Sequence, residues 1–369
     1  MMAQKLTCAL VLLVVALIAT NNIVNADDNV QIPYQKGQLN SWFNGNVRPL
    51  SASKGLDPAL VAAETGPAKV VKVAKDGSGD FKTVQEAINS VPSGNSKRVI
   101  IYVGGGEYHE KVTIDRSKPF ITLYGSPTNM PTISYAGTAA QYGTVDSATL
   151  IVGSDYFVGV NLIIKNSAPR PDGIRKGAQA VALRASGNKA TFYKCKLLGF
   201  QDTLCDDRGF HLFKDCYIEG TVDFIFGSGT SLYLNTELHV ISDPTMESVI
   251  TAQARQSADG TGFSFVHCTI TGNAKDAVLG RAWMPNAKVI FAYTNLGGVI
   301  SPQGWSDNMH PERDNTVFFG EYQNTGASAN DDGRVDFVKT LNDAQAKPYL
   351  TLGFIQGSKW LLPPPNPQV

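Results

Sequence analysis

Phe192-Tyr193-Lys194-Cys195-Lys196-Leu197 is followed by Phe213-Lys214-Asp215-Cys216-Tyr217-Ile218, and the two stretches share one pattern. An apolar residue is followed by two variable positions, a small or thiol residue, one variable position, and then Leu or Ile. The pattern occurs six times, with further copies at Val158–Ile163, Tyr233–Leu238, Phe265–Ile270 and Phe291–Leu296. Successive copies start 34, 21, 20, 32 and 26 residues apart. Strand-rich repeats of this length, cut by Gly, Asn and Asp, mark a solenoid in which each unit buries its apolar face only against its neighbours. The expected fold is all-β, a right-handed parallel β-helix. A β-sandwich would place turns every ~8 to 12 residues, a shorter spacing than this one. In the solenoid, Cys195, Cys216 and Cys268 would stack inward as small apolar fillers, a reading preferred over a Cys195–Cys216 disulfide.

Outward from the repeats, the short runs Val99–Val103, Phe120–Tyr124 and Leu150–Val152 read as further strands. Thr83-Val84-Gln85-Glu86 has capping-box spacing, and Val84, Ala87, Ile88 and Val91 recur at helical intervals, so Thr83–Val91 is predicted to be a short amphipathic helix capping the solenoid. Residues 27–68 form a preface with Trp42 and Phe43 as apolar anchors and a helix predicted around Asp57–Glu64, with Pro58 in its first turn. Residues 69–360 read as one domain without an internal linker, and 361–369 as a Pro-rich tail in which Pro363-Pro364-Pro365 should run exposed. Residues 1–26 combine Lys5, an apolar run from Leu6 to Ala19, and Val24-Asn25-Ala26 with small residues at the cleavage positions. That is the pattern of a secretory signal, and its apolar run is too short for a membrane anchor.

The chain carries 32 basic and 32 acidic residues, and only 17% of its 369 residues are charged. Removing the leader takes away Lys5 and leaves a mature net charge of −1. Phosphate binding needs a basic surplus, so nucleic acid is excluded as a partner. Gly contributes 35 residues, above the usual share, and with the low charge this argues against disorder. Cys8 leaves with the leader, so Cys195, Cys205, Cys216 and Cys268 remain, too few for a disulfide scaffold. No Asn-x-Ser/Thr sequon occurs. The Gly-x-Ser-x-Gly elbow, the Walker loop, the dinucleotide fingerprint and His-Glu-x-x-His are all absent, and the five histidines lack metal-ligand spacing. No metal and no cofactor are expected.

Carboxylates and amides cluster instead. Gln201-Asp202 precedes Asp223 by about one repeat, so one coil of the solenoid would bring Asp202 and Asp223 side by side. Gln179, a similar interval before Gln201, would add a third polar rung. Asp223 is followed by Phe224-Ile225-Phe226, and an acid in such a setting is partly desolvated and needs a partner. Arg281, in Leu279-Gly280-Arg281-Ala282-Trp283, is the candidate.

Gly106-Glu107-Tyr108-His109-Glu110, Gln179-Ala180-Val181-Ala182-Leu183, Gln201-Asp202-Thr203-Leu204, Asp223-Phe224-Ile225-Phe226-Gly227 and Leu279-Gly280-Arg281-x-Trp283 together resemble the ordered motifs of plant pectin methylesterases. The resemblance covers Val70 to Trp360, and the short preface is similar to pollen-type members without a large inhibitory pro-region. It implies a secreted cell-wall enzyme that demethylates homogalacturonan, works as a monomer and has a proteinaceous inhibitor as a partner class. By the same resemblance Asp223 matches the nucleophile, Asp202 the general acid/base, Gln201 the oxyanion-stabilising amide and Gln179 a second amide at the transition state. Arg281 matches the residue that holds the nucleophile, and Thr144 and Trp283 match sugar-contacting positions. The chain departs from the family at Ala282, usually Pro, and at Cys205 and Asp207, usually Tyr and His. These departures fall on the expected cleft rim.

The chemistry is consistent with the residues themselves. A carboxylate nucleophile produces a tetrahedral oxyanion that amide N–H groups hold without added charge. Arg281 is expected to lower the pKa of Asp223, while the charge of Asp223 raises that of Asp202. Two other readings compete. One is a pectin-chain hydrolase using Asp202 and Asp223, or Asp206 and Asp207, although the latter pair reads as a solvated turn. The other is a catalytically silent wall-binding β-helix, whose mark would be loss of Asp202, Asp223 or Arg281.

Overall fold

The computed structural model describes residues 28–243, 245–330 and 332–367; the leader read at 1–26 lies outside them. The chain winds through three parallel sheets of 11, eight and eight strands, called here I, II and III. One coil runs through Ala190–Tyr193 in sheet I, Lys196–Leu198 in sheet II and Leu204–Asp206 in sheet III. The next runs through Phe210–Lys214, Tyr217–Gly220 and Ile225–Gly227, each strand pairing in parallel with its equivalent one coil earlier. This is the right-handed parallel β-helix, in the hand that parallel crossovers take. Among the described residues no helix is long and apolar enough to cross a membrane.

The repeated pattern has a physical basis in each of its positions. Phe192, Phe213, Tyr233, Phe265 and Phe291 are partners across sheet I and all point into the core. Their rings stack in one ladder with centroids 4.8, 4.8, 4.3 and 4.5 Å apart. That spacing is close to the ~4.8 Å between hydrogen-bonded strands, so the sheet sets the ring separation. After each of the six sheet I strands from Val158–Val160 to Lys288–Ala292 comes one left-handed residue, namely Asn161, Lys194, Asp215, Asn235, His267 and Tyr293, with φ between 52° and 56°. It turns the chain into sheet II. Cys195, Cys216 and Cys268 then face inward, and all four described cysteines are free and buried.

One copy of the pattern is displaced by a residue. Phe192 pairs with Gly159, not with Val158, and Leu197 pairs with Ile164, not with Ile163. Gly159 has no side chain to offer the ladder, and the space is filled by Phe157, whose ring lies 5.5 Å from that of Phe192. A Cβ on Gly159 would come within 3.1 Å of the Phe192 ring.

The predicted cap is the helix Val84–Asn89, with Val84, Ala87 and Ile88 buried against the first coils. Thr83 accepts the Glu86 N–H as expected, but the N–H groups of Val84 and Gln85 both go to the Glu110 carboxylate at 2.9 Å. The preface helix is Pro58–Glu64 with Pro58 in its first turn, and a second helix, Leu39–Asn46, was not foreseen. Leu39, Phe43 and Leu60 join Leu212, Leu232 and Trp360 in an apolar layer on the outer face of sheet I. Asp57 pins this layer, accepting from Lys189 Nζ at 2.7 Å and Tyr156 OH at 2.9 Å. The tail differs from expectation: Pro363 and Pro365 are half-buried, because Tyr193 OH donates to the Leu362 carbonyl and draws the segment onto the same face.

Candidate active site

The segments joining sheets II and III build the site. Asp202 and Asp223 occupy equivalent places on successive coils, tied by Asp202 N–H to the Val222 carbonyl at 3.1 Å and Leu204 N–H to the Phe224 carbonyl at 2.9 Å. Both have left-handed backbones, with φ of 67° and 50°. Asp tolerates that conformation better than most residues, and it turns both carboxyls out of the strand path into the cleft. Phe224 and Ile225 anchor the turn in the core, while Phe226 points outward to the cleft floor. Gly220 makes room for this, since a Cβ there would stand 2.2 Å from that of Phe224.

Both carboxyls are buried, at 7% exposure for Asp202 and 5% for Asp223. Arg281 Nη2 donates to Asp223 Oδ2 at close range, while Asp223 Oδ1 is buried without a hydrogen-bond partner. Desolvation is the largest influence on Asp223 and outweighs the attraction of Arg281, so its pKa lies above, not below, the ordinary carboxylate value. This corrects the expected direction: the partner limits the rise and does not reverse it. Desolvation and then the charge of Asp223 push Asp202 well above the ordinary value, with Arg281 offsetting only part. Asp223, bonded to the guanidinium, is thus the more readily ionised of the two.

Thr144, Gln179, Gln201, Asp202, Asp223, Arg281 and Trp283 line one cavity of about 320 Å³, with Val145, Phe226 and Ala252 between them. The seven residues that the motifs matched to catalytic and sugar-contacting roles therefore meet, whereas the rival pair Asp206 and Asp207 does not line this cavity. Their register is less regular than expected: Leu183 pairs with Leu204, which, continued back along the chain, sets Ala180 and not Gln179 opposite Gln201. Both amides still reach the cleft. Trp283 is 43% exposed, and Arg281 Cζ lies 5.1 Å from its ring centroid, so this ring is cleft wall and not core. Among the described residues no cluster of three His, Cys, Asp or Glu side chains converges on a metal-sized site. A separate hollow of about 370 Å³ lies under the preface, lined by Leu60, Arg98, Trp360 and the tail prolines. It contains no paired carboxyls.

Sequence reading missed several groups near the site. Asp206 is not a solvated turn residue but is fully buried in a strand, accepting from Tyr233 OH at 2.6 Å and paired with His211 Nδ1 at 2.5 Å. Asp207 accepts from Arg184 Nη2 at 2.9 Å and from Ser186 Oγ at 2.7 Å, and the same guanidinium reaches Asp146 at 2.6 Å. Cys205 is buried with Ala148 and Val181 under Phe226, so it lies below the cleft floor and not on its rim. Ala282 is also buried, and its N–H donates to the Ser306 carbonyl at 2.9 Å, a bond that Pro could not make. Asn308 accepts from Arg281 Nη1 at 3.1 Å. The first three depend on strand register, and Asn308 on a loop with no repeat to place it.

A family model described as Pectinesterase matches residues 70–358. Pectinesterase 2 of Olea europaea and a pectinesterase of Parthenium hysterophorus are each 58% identical over 345 residues, covering 93% of this chain and 93% of theirs. The structure of a pectin methylesterase from carrot superposes with a TM-score of 0.71 at 29% identity, covering 78% of this chain and 94% of its own. A pectin methylesterase solved in complex with a hexasaccharide gives 0.68 at 27% identity, covering 81% of this chain and all of its own. With the motifs, the coil architecture and the relatives in agreement, the chain belongs to the pectinesterase family.

Proposed function

We propose that this esterase removes the methyl groups of cell-wall homogalacturonan through a covalent aspartyl intermediate, and that Asp223 is its nucleophile. The observation that carries the reading is the asymmetry of the Asp223 carboxyl, with Oδ2 held by Arg281 and Oδ1 buried in the cleft without a partner. Oδ1 attacks the C6 carbonyl of a methyl galacturonate and forms a tetrahedral intermediate. Its oxyanion takes N–H donors from Gln201 and Gln179, neutral groups that leave the charge of the catalytic pair undisturbed. Asp202, whose raised pKa keeps it protonated, gives its proton to the departing methoxide, and methanol leaves. Water then attacks the acyl carbonyl while the Asp202 carboxylate takes its proton, which releases the galacturonate and restores both acids. Thr144 and Trp283 are assigned to sugar contact, Trp283 by the open face of its ring.

We place the mature enzyme outside the cell after cleavage behind Ala26. Its near-neutral charge supports the substrate assignment, because a polyanion then gains no general attraction and a neutral ester is favoured at the buried acids.

The test is an assay of the purified mature protein on methylated pectin. Methanol should appear without chain shortening; new reducing ends would point to glycoside cleavage, and an unsaturated chromophore to a lyase. Asp223→Asn should fold normally and lose nearly all turnover, and substantial residual activity would overturn the nucleophile assignment.

A further inference from the structure

Arg281 positions the nucleophile, so its own position has to be held. Nη2 donates to Asp223 Oδ2, Nη1 donates to Asn308 Oδ1 at 3.1 Å, and Nε–H is buried without an acceptor. Among the described residues the guanidinium therefore has two hydrogen-bond acceptors, the Asp223 carboxylate and the Asn308 amide, with the Trp283 ring beside it. Without Asn308 it would hang from Asp223 alone and could swing about its side-chain bonds.

The loop presenting Asn308 is strained. Asn308 and Met309 are consecutive left-handed residues, each with φ of 59°. Asn adopts that conformation readily, but Met does not, and Met309 is 90% exposed, so burial of its side chain offsets nothing. The loop is nevertheless braced: Asn308 N–H donates to Ser306 Oγ at 3.1 Å and Met309 N–H to Asp307 Oδ1 at 2.8 Å. It is also bound to the strand it serves. Ser306 pairs in register with Arg281, and the Ala282 N–H that replaces the family's usual Pro donates to the Ser306 carbonyl at 2.9 Å. Strain maintained by this much bracing, beside the one residue that grips the nucleophile, marks a positioning device.

We infer that Asn308 is a positioning residue for the ester hydrolysis: its side-chain carbonyl fixes Arg281 so that Nη2 stays on Asp223 Oδ2 and Oδ1 stays free to attack. The inference rests on Asp223 being the nucleophile. A neutral amide suits the task, because a carboxylate in its place would compete with Asp223 for the guanidinium's charge. The charged groups facing the pair are Asp202 on the preceding coil and Glu247, itself beside Asp276, on the loop before Val249–Gln253.

The experiment measures kcat and KM for methanol release across pH in the wild type, Asn308→Gly, Asn308→Asp and Asp223→Asn. Gly accepts the left-handed backbone, so Asn308→Gly removes the amide and leaves the loop its conformation. Asn308→Asp keeps the shape and adds a charge, and it decides the question if the Gly variant fails to fold. Asn308→Gly should lower kcat about 10- to 100-fold with KM within about twofold. Both variants should move the acid limb of the kcat profile to higher pH, the Asp variant with the smaller loss at its plateau. An unchanged kcat and acid limb in Asn308→Gly, a change confined to KM, or an unmoved acid limb in Asn308→Asp overturns the inference. Asp223→Asn separates the two assignments. If that variant is active, the nucleophile assignment falls; if it is dead while Asn308→Gly behaves as wild type, only the role of Asn308 falls.

Discussion

Asp202 illustrates what the cleft asks of a single residue. Burial and the neighbouring charge both oppose its ionisation, so the folded state holds its proton more tightly than the unfolded chain does. Stability is then fully present below the ordinary Asp pKa of ~3.9 and declines as pH rises through the raised folded value. Asp202→Asn removes that penalty and, in the proposed mechanism, the proton donor. We expect it to be more stable than the wild type at neutral pH by about 1 kcal/mol, and so to melt higher, with the gain vanishing toward pH 3, and to release almost no methanol. A melting curve at each pH checks this; equal stability at pH 7 would refute the burial argument. At this scale the types and spacing of the acids, amides and arginine were legible, because each belongs to a short motif. The net rise at Asp223 was not, because desolvation depends on how Phe224, Ile225 and their coil mates close around the carboxyl.

At the level of elements, the sheet I strands were legible for a simple reason: a solenoid repeats one burial pattern, so an inward ring recurs wherever the chain returns. Phe213 sits between Phe192 and Tyr233 with near-parallel rings on both sides. Phe213→Ala should cost about 3–5 kcal/mol, as a fully buried ring leaves a cavity that two rigid neighbouring coils cannot close. Chemical denaturation would measure it, and a loss below about 1 kcal/mol would mean that the ladder is not a unit of stability. The displaced copy at Val158 shows the limit of the same logic. Local pattern favours Val158, yet the coil places Gly159 opposite Phe192 because Phe157 supplies the ring from a neighbouring position. The Leu39–Asn46 helix was missed for a related reason: it has only Leu39 and Phe43 to bury, too few for a periodic signal.

For the whole molecule, the stack is locked by a polar group deep in its core. Both ring nitrogens of His211 face acceptors, Asp206 Oδ1 at 2.5 Å and the Gly187 carbonyl at 2.8 Å. Burial alone would lower its pKa, but the Asp206 carboxylate and the Gly187 carbonyl outweigh that and raise it. A His with a raised folded pKa contributes stability that is complete below the ordinary value of ~6.5 and is lost as pH climbs through the raised one. The melting temperature should therefore fall on going from about pH 6 to alkaline pH, and His211→Gln should be less stable at pH 6 with a flatter slope. An identical slope in that variant would assign the pH dependence elsewhere. By itself the sequence determined the coil, the family and the set of groups in the cleft, because repeats and short motifs are local and survive without coordinates. Only the tertiary structure decided which coil residues face each other, that Asp206 pairs with His211 in the core, and that a loop 27 residues beyond Arg281 supplies Asn308 to its guanidinium. The coil-to-coil contacts and the Asn308 contact join positions far apart in the chain, and Asp206 and His211, only five residues apart, meet because both are buried on consecutive strands; no local pattern encodes the register that brings these groups together.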